Sequence, residues 1–166
     1  MTGVMMEGNG SKESRRVSIA GSDGRDLADM SAMLRRCSRE ALYHRFHGFS
    51  DGMDYLHRQL DPERDLLRMA RVEDRCVGFA VVSPHGDGSW HLGVLVEDQW
   101  QRRGVGTALV MAVVTQASRW GITRLRAQVL AEDRYLIELL RRVGPLSGVC
   151  EGTEILVDVQ VRVQAP

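Results

Sequence analysis

Between Trp90 and Thr107 the chain changes its hydrophobic period, and that change constrains the fold more than any other feature. Trp90, Leu92, Val94 and Val96 recur at every second residue, the mark of a strand. After Glu97-Asp98-Gln99-Trp100 the period lengthens. From Gln101 to about Trp120, Val105, Leu109, Ala112, Val113, Ala117 and Trp120 share one helical face, with further apolar residues around it. A helix this apolar needs a sheet to cover it, so helix and sheet must pack face to face.

The remaining sequence supplies that sheet. Asp65 to Arg71, Cys76 to Ser83 and Ser89 to Val96 read as strands joined by Glu73-Asp74 and the Pro84 to Gly88 turn, an antiparallel meander. Arg124 to Leu130 reads as a strand, Glu132 to Val143 as a helix carrying Leu136, Leu139, Leu140 and Val143, and Val149 with Ile155 to Val163 as closing strands. Upstream, Val17 to Ala20 suits a short strand. Ser22 is a candidate N-cap for a helix with Leu27, Met30, Leu34 and Cys37 inward, Ser38 caps a second with Leu42 and Phe46, and Met53, Leu56 and Leu60 mark a third. Helices first, then a meander, then a βαβ unit imply an α/β (α+β) fold: a mixed, mainly antiparallel sheet with helices on both faces.

The 166 residues, 43% apolar, are enough for one domain with its own core, expected over 17–166 behind a disordered N-terminal tail, 1–16. Basic and acidic side chains balance at 22 each, which disfavours a polyelectrolyte role and a nucleic-acid partner. Cys37, Cys76 and Cys150 are scattered, without Cys-x-x-Cys spacing, so reduced thiols in the cytoplasm are expected. The longest strictly apolar run, Ala108 to Val114, is far below the roughly 20 residues that cross a bilayer, so no membrane partner is expected. His44 and His47 lie on one helical face, yet no nearby carboxylate or thiol completes a chelating set, so no metal is expected.

The chemistry concentrates where strand becomes helix. The first N–H groups of a helix have no partner within it, and the aligned peptide dipoles add about half a positive charge there. Phosphate is the natural guest. Gly104 and Gly106 remove two Cβ atoms that would hold a diphosphate off the backbone, and Arg102 and Arg103 bring charge to its rim. A dinucleotide fingerprint needs a third glycine, but Thr107, Ala108 and Leu109 follow Gly106, and the Gly-Lys-Ser/Thr of a Walker loop is absent.

Gln101-Arg102-Arg103-Gly104-Val105-Gly106 resembles the Gln/Arg-x-x-Gly-x-Gly/Ala signature of the GNAT superfamily of acyl-coenzyme A N-acyltransferases, in element order from about Arg16 to Val163. The resemblance implies acetyl-CoA as co-substrate, its pyrophosphate held along Gln101, Arg102, Arg103, Gly104, Val105, Gly106 and Thr107. The strand residues Val94, Leu95 and Val96 would offer backbone groups to the pantetheine and thioester. Asp133 matches an Asn that contacts the cofactor in relatives, although a carboxylate at a helix start also suits the dipole. Ser38-Arg39-Glu40-Ala41-Leu42-Tyr43-His44-Arg45-Phe46 resembles a Ser-x-Glu-Ser-Leu-Tyr-x-Arg-Phe segment of bacterial Pat-type protein-lysine acetyltransferases. That likeness implies a protein lysine as acceptor, with a small-molecule amine as the alternative.

Acyl transfer to an amine needs the amine neutral. With an ordinary lysine pKa near 10.4, about one side chain in ~2,500 is neutral at pH 7, a handicap of about 4.6 kcal/mol. The chain departs from the resembled family in how it meets this demand. Pat-type enzymes commonly carry Glu where His91 stands, another branch uses a Glu matched here by Gln128, and the Tyr that protonates the leaving thiolate is matched by Leu140. His91, whose ordinary pKa suits proton removal near neutrality, is the first candidate base, and Glu97 the second. Loss of the usual acid and base also leaves open a non-catalytic acyl-CoA-sensing module.

Overall fold

The computed structural model describes residues 16–22 and 26–162, so the tail expected over 1–16 lies almost wholly outside the described residues. The elements run β1 (Ser18–Gly21), α1 (Asp26–Leu34), α2 (Arg39–Phe46), α3 (Met53–Arg58), β2 (Leu66–Val72), β3 (Arg75–Pro84), β4 (Trp90–Val96), α4 (Val105–Arg119), β5 (Arg124–Leu130), α5 (Arg134–Val143), β6 (Leu146–Glu151) and β7 (Glu154–Gln160). Seven strands form one sheet in the order β1-β2-β3-β4-β5-β7-β6. Every neighbouring pair is antiparallel except β4 with β5. The mixed, mainly antiparallel sheet expected from the sequence is the one observed.

Two cores divide the sheet faces. Leu92, Leu109, Val110, Val113, Leu125 and Leu140 lie in one cluster, which joins α4 and α5 to the strands. Met30, Met33, Leu34, Leu42, Leu56, Phe79 and Leu95 lie in the other, beneath α1, α2 and α3. Helices thus cover both faces, as the period change at Val96 requires. Strand alternation explains the division along β4, where Leu92 joins the first cluster and Leu95 the second.

Several local expectations shift. The first helix begins at Asp26, so Ser22 is not adjacent to its start, and its inward residues are Met30, Met33 and Leu34 while Leu27 stays 40% exposed. The long helix begins at Val105 instead of Gln101, because Arg102 (φ 56) and Gly104 (φ 81) take left-handed conformations that no right-handed helix can contain. Trp120 falls just past its end and is 55% exposed. No helix among the described residues is long and apolar enough to cross a membrane.

All three cysteines are free. Burial pushes the Cys37 thiol up to about 12, helped by Asp98 and Glu97, and Cys76 up to about 11. Cys150 is exposed on β6. A thiol-reactive dye at pH 8 should therefore label Cys150 first in the native protein, with Cys37 and Cys76 reacting only after urea is added.

Candidate active site

The sheet opens at its one parallel junction. β4 and β5 share a single registered pair, His91 with Arg126, whereas β4 stays registered with β3 along its whole length and β5 with β7. Beyond His91 the two strands part. A groove of about 280 Å³ lies at the parting, lined by Val94, Leu95 and Val96 of β4, by Gln101, Arg102 and Gly106 of the turn, and by Asp133 and Leu136 across from them. A larger cavity of about 610 Å³ adjoins it and is lined by His91, Gly93, Arg45 and Gln128. Arg45 and Val94 line both, so the two spaces meet at β4.

The start of α4 faces the groove with its amides unclaimed. Gly104 is the N-cap and supplies no side chain, and among the described residues no other side chain caps this helix start. Ala108 N–H donates to the Gly104 carbonyl at 3.0 Å, which starts the helical ladder and leaves the N–H groups of Gly104 to Thr107 pointing out of it. The left-handed turn at Arg102 and Gly104 presents neighbouring N–H groups as a concave cradle for an anion. A Cβ built on Gly106 would meet nothing nearer than Val96 Cγ2 at 3.7 Å. The protein's own packing therefore does not require glycine there; the open space suits a diphosphate, and the cradle fits the pyrophosphate of coenzyme A.

Other loop residues act less directly. The Gln101 side chain donates to the Val96 carbonyl at 2.9 Å and so ties the turn to the end of β4. Trp100 packs on the core and carries Arg103 over its ring at 5.3 Å, which holds that charge at the rim. Leu95 and Val105 are core side chains, so they can offer only backbone groups to a ligand. Thr107 and Tyr135 approach at 3.4 Å between hydroxyls across the groove, a contact the sequence did not reveal.

Asp133 is placed mainly by its cap. One carboxylate oxygen accepts from Leu136 N–H at 3.0 Å and the other lies 3.2 Å from His44 Nδ1, so the side chain pins the start of α5 to α2. His44 and His47 do not converge on a common site: His44 faces Asp133 and His47 faces Glu154 at 3.1 Å. Ser38 accepts from Ala41 N–H at 3.1 Å while its own N–H donates to Asp98 at 2.8 Å, which fastens α2 to the segment before the turn.

Glu97, the second candidate base, is held in a network of its own. It is 4% exposed, and its carboxylate accepts from Arg36 at 3.1 Å, Arg75 at 2.7 Å and Gln99 at 2.7 Å. A carboxylate so engaged anchors the end of β4.

His91 lines the larger cavity on the face opposite Leu92 and Val94. Its Nε2 lies 3.0 Å from Ser89 Oγ, and Ser89 Oγ lies 2.5 Å from Asp87 Oδ1. The Ser89 hydroxyl and N–H hold the Asp87 carboxyl well below the usual carboxylate range, so it accepts and does not donate. Ser89 then spends its one proton on Asp87 and accepts from His91 Nε2–H, which leaves the lone pair on Nδ1. Burial, aided by His85, pushes the His91 pKa below its ordinary value, so the ring is neutral at neutral pH.

His85 stacks on His91 with ring centroids 4.3 Å apart and planes 11° from parallel. His85, Asp87 and His91 bring donor atoms within 4.8 Å of one another, a grouping not read from the sequence. Lone pairs in near-parallel stacked rings run side by side instead of converging, and Asp87 already accepts from Arg126 at 3.2 Å. The arrangement is that of a stacked pair serving one neutral imidazole.

A parting of this shape admits a long carrier, its diphosphate on the amides of α4 and its reactive end beside β4, with a second cavity from which an acceptor can approach. That is the layout of an acyl-CoA-dependent N-acyltransferase. Residues 29–144 match the family model described as the acetyltransferase (GNAT) family, and the chain belongs to that family. The GNAT domain of S. lividans PAT superposes with a TM-score of 0.76 at 18% identity, over 90% of this chain and 93% of that one. The PaiA N-acetyltransferase of Thermoplasma acidophilum, in complex with coenzyme A, gives 0.64 at 12% identity over 87% and 98%. YncA of Salmonella typhimurium, solved with its cofactor acetyl-CoA, gives 0.65 at 15% over 90% and 96%. At these identities the likenesses speak for the fold.

Two substitutions test these assignments. Gly104→Glu sets a carboxylate and a strained φ at the cradle, and should weaken CoA binding by at least about tenfold in calorimetry; unchanged affinity would contradict the cradle. Glu97→Gln should lower the urea-unfolding free energy by about 1–3 kcal/mol, discounted because Arg75 is half exposed. A variant that kept full stability but lost kcat would restore Glu97 as the base.

Proposed function

We propose that the protein transfers the acetyl group of acetyl-CoA to a primary amine, with a protein lysine as the foremost acceptor and His91 Nδ1 as the group that takes the amine's proton. The observation that carries the reading is the Asp87, Ser89, His91 hydrogen-bond chain, because it fixes the tautomer with a free lone pair on a ring that lines the acceptor cavity. A module that only senses acyl-CoA has no use for a base so prepared.

Gln101, Arg102 and Arg103, with the amides of Gly104 to Thr107, would hold the pyrophosphate, and the backbone of Val94 to Val96 would align the chain of the carrier along β4. Bound acetyl-CoA supplies the activated acyl group and a thiolate leaving group. His91 accepts a proton at Nδ1 while its Nε2–H stays on Ser89, and the cavity walls limit water at β4.

A protein lysine is supported by the Ser38 to Phe46 segment, whose helix lines the cavity, and by the fold shared with a PAT domain. A small amine remains the second acceptor class. The three free cysteines suit the reducing cytoplasm as the setting.

Because His91 acts as the neutral ring and its pKa lies below 6.5, kcat/KM should be level at neutral pH and fall as pH drops through a midpoint under 6.5. His91→Gln should cut kcat by about a hundredfold or more at pH 7.5, leave CoA affinity unchanged and abolish that acidic limb. Retention of the limb in the variant would assign the proton to another group.

A further inference from the structure

Resting on the transferase reading, the structure assigns Arg45 as an anion-reading residue: we infer that the acceptor presents a carboxylate close to the amine it offers. Arg45 lies near the end of α2 and lines both the groove and the larger cavity. Its guanidinium carbon stands 4.9 Å from the centre of the Phe46 ring and 4.8 Å from that of Tyr55. Its far side presses on β4 at Gly93, where any Cβ would come within 2.5 Å of the guanidinium. That is the strand face that also bears His91.

Among the described residues no carboxylate lies within ion-pair distance of Arg45, and its Nε is buried without an acceptor. Tyr55 shares a hydrogen bond with it, and two aromatic faces offset part of the desolvation. A buried cation ordinarily demands a counter-charge. Of the three arginines that line the cavity, Arg58 faces Asp54 at 3.5 Å and Arg64 faces Asp65 at 3.6 Å, so among the described residues Arg45 alone of them lacks a carboxylate within ion-pair distance. A polyamine would bring further positive charge against Arg45. An amine accompanied by a carboxylate would meet complementary charge at Arg45 and still reach His91.

Such a carboxylate can come from an acidic residue flanking a lysine in a protein or from the carboxyl of a free amino acid. Fluorescent pentapeptides of one central lysine with Glu, Ala or Arg flanks, free lysine, and lysine amide, titrated into the full-length protein with CoA, separate these sources. The Glu-flanked peptide should bind at least about tenfold more tightly than the Arg-flanked one, as one charge-assisted hydrogen bond provides. Free lysine binding better than lysine amide, with no flank effect, would identify the amino-acid source.

Arg45→Gln should bring acidic and basic flanks within about twofold of each other while CoA still binds. If that variant fails to fold, Arg58→Gln with Arg64→Gln on the exposed rim should weaken the salt dependence of the flank preference. Equal or reversed flank preference in the wild type, with no difference between lysine and its amide, overturns the inference. Because binding is read without turnover, an enzyme that acetylated none of these amines would count against the transferase reading alone.

Discussion

The separation of β4 from β5 is the constraint on which the rest depends. Parallel strands joined by a buried helix would ordinarily stay in register, yet here one pair, His91 with Arg126, holds the junction and both strands then follow other partners. Arg126 reinforces that pair by reaching Asp158 at 2.8 Å on β7 and Asp87 at 3.2 Å on the turn before β4. The same few side chains therefore close one end of the junction and set the surroundings of His91. Everything the site offers lies along the opening that results.

The two sides of the opening are prepared by different physics. On one, backbone geometry does the work: a left-handed turn ends the strand and starts α4 without a cap, so positive potential faces outward. On the other, side chains do it, through a neutral imidazole oriented by Ser89 and a guanidinium buried against β4. α2 links them, since Ser38 is bonded to Asp98 beside the turn and Arg45 of the same helix lines the larger cavity. Glu97, between the two, ties the joint to Arg36 and Arg75.

The order of elements and the cradle were legible in the sequence because they rest on local rules: period, glycine placement and the needs of a helix start. The sequence marks Arg124–Leu130 to the residue, whereas the start of the helix before it is obscured by Arg102, which adopts a left-handed conformation that glycine would advertise and arginine does not. The side-chain chemistry was less legible. The family resemblance and its ordinary pKa make His91 a candidate base, but its hydrogen bonding depends on Asp87 and Ser89 in an exposed turn that reads as punctuation. Glu97 looked available because nothing local announces partners at Arg36 and Arg75, the first far away in sequence. Arg45 read as one residue of a family-like helix; its burial without a partner is a property of how α2 meets β4, and spacing carries no signal of it.

The claim that the first amides of α4 receive the diphosphate is tested most directly by recording amide resonances of the labelled protein during titration with coenzyme A. The account predicts that Gly104, Val105, Gly106 and Thr107 shift most, with smaller changes along Val94 to Val96 and none at β6. Saturable binding that left those four amides unmoved would contradict it.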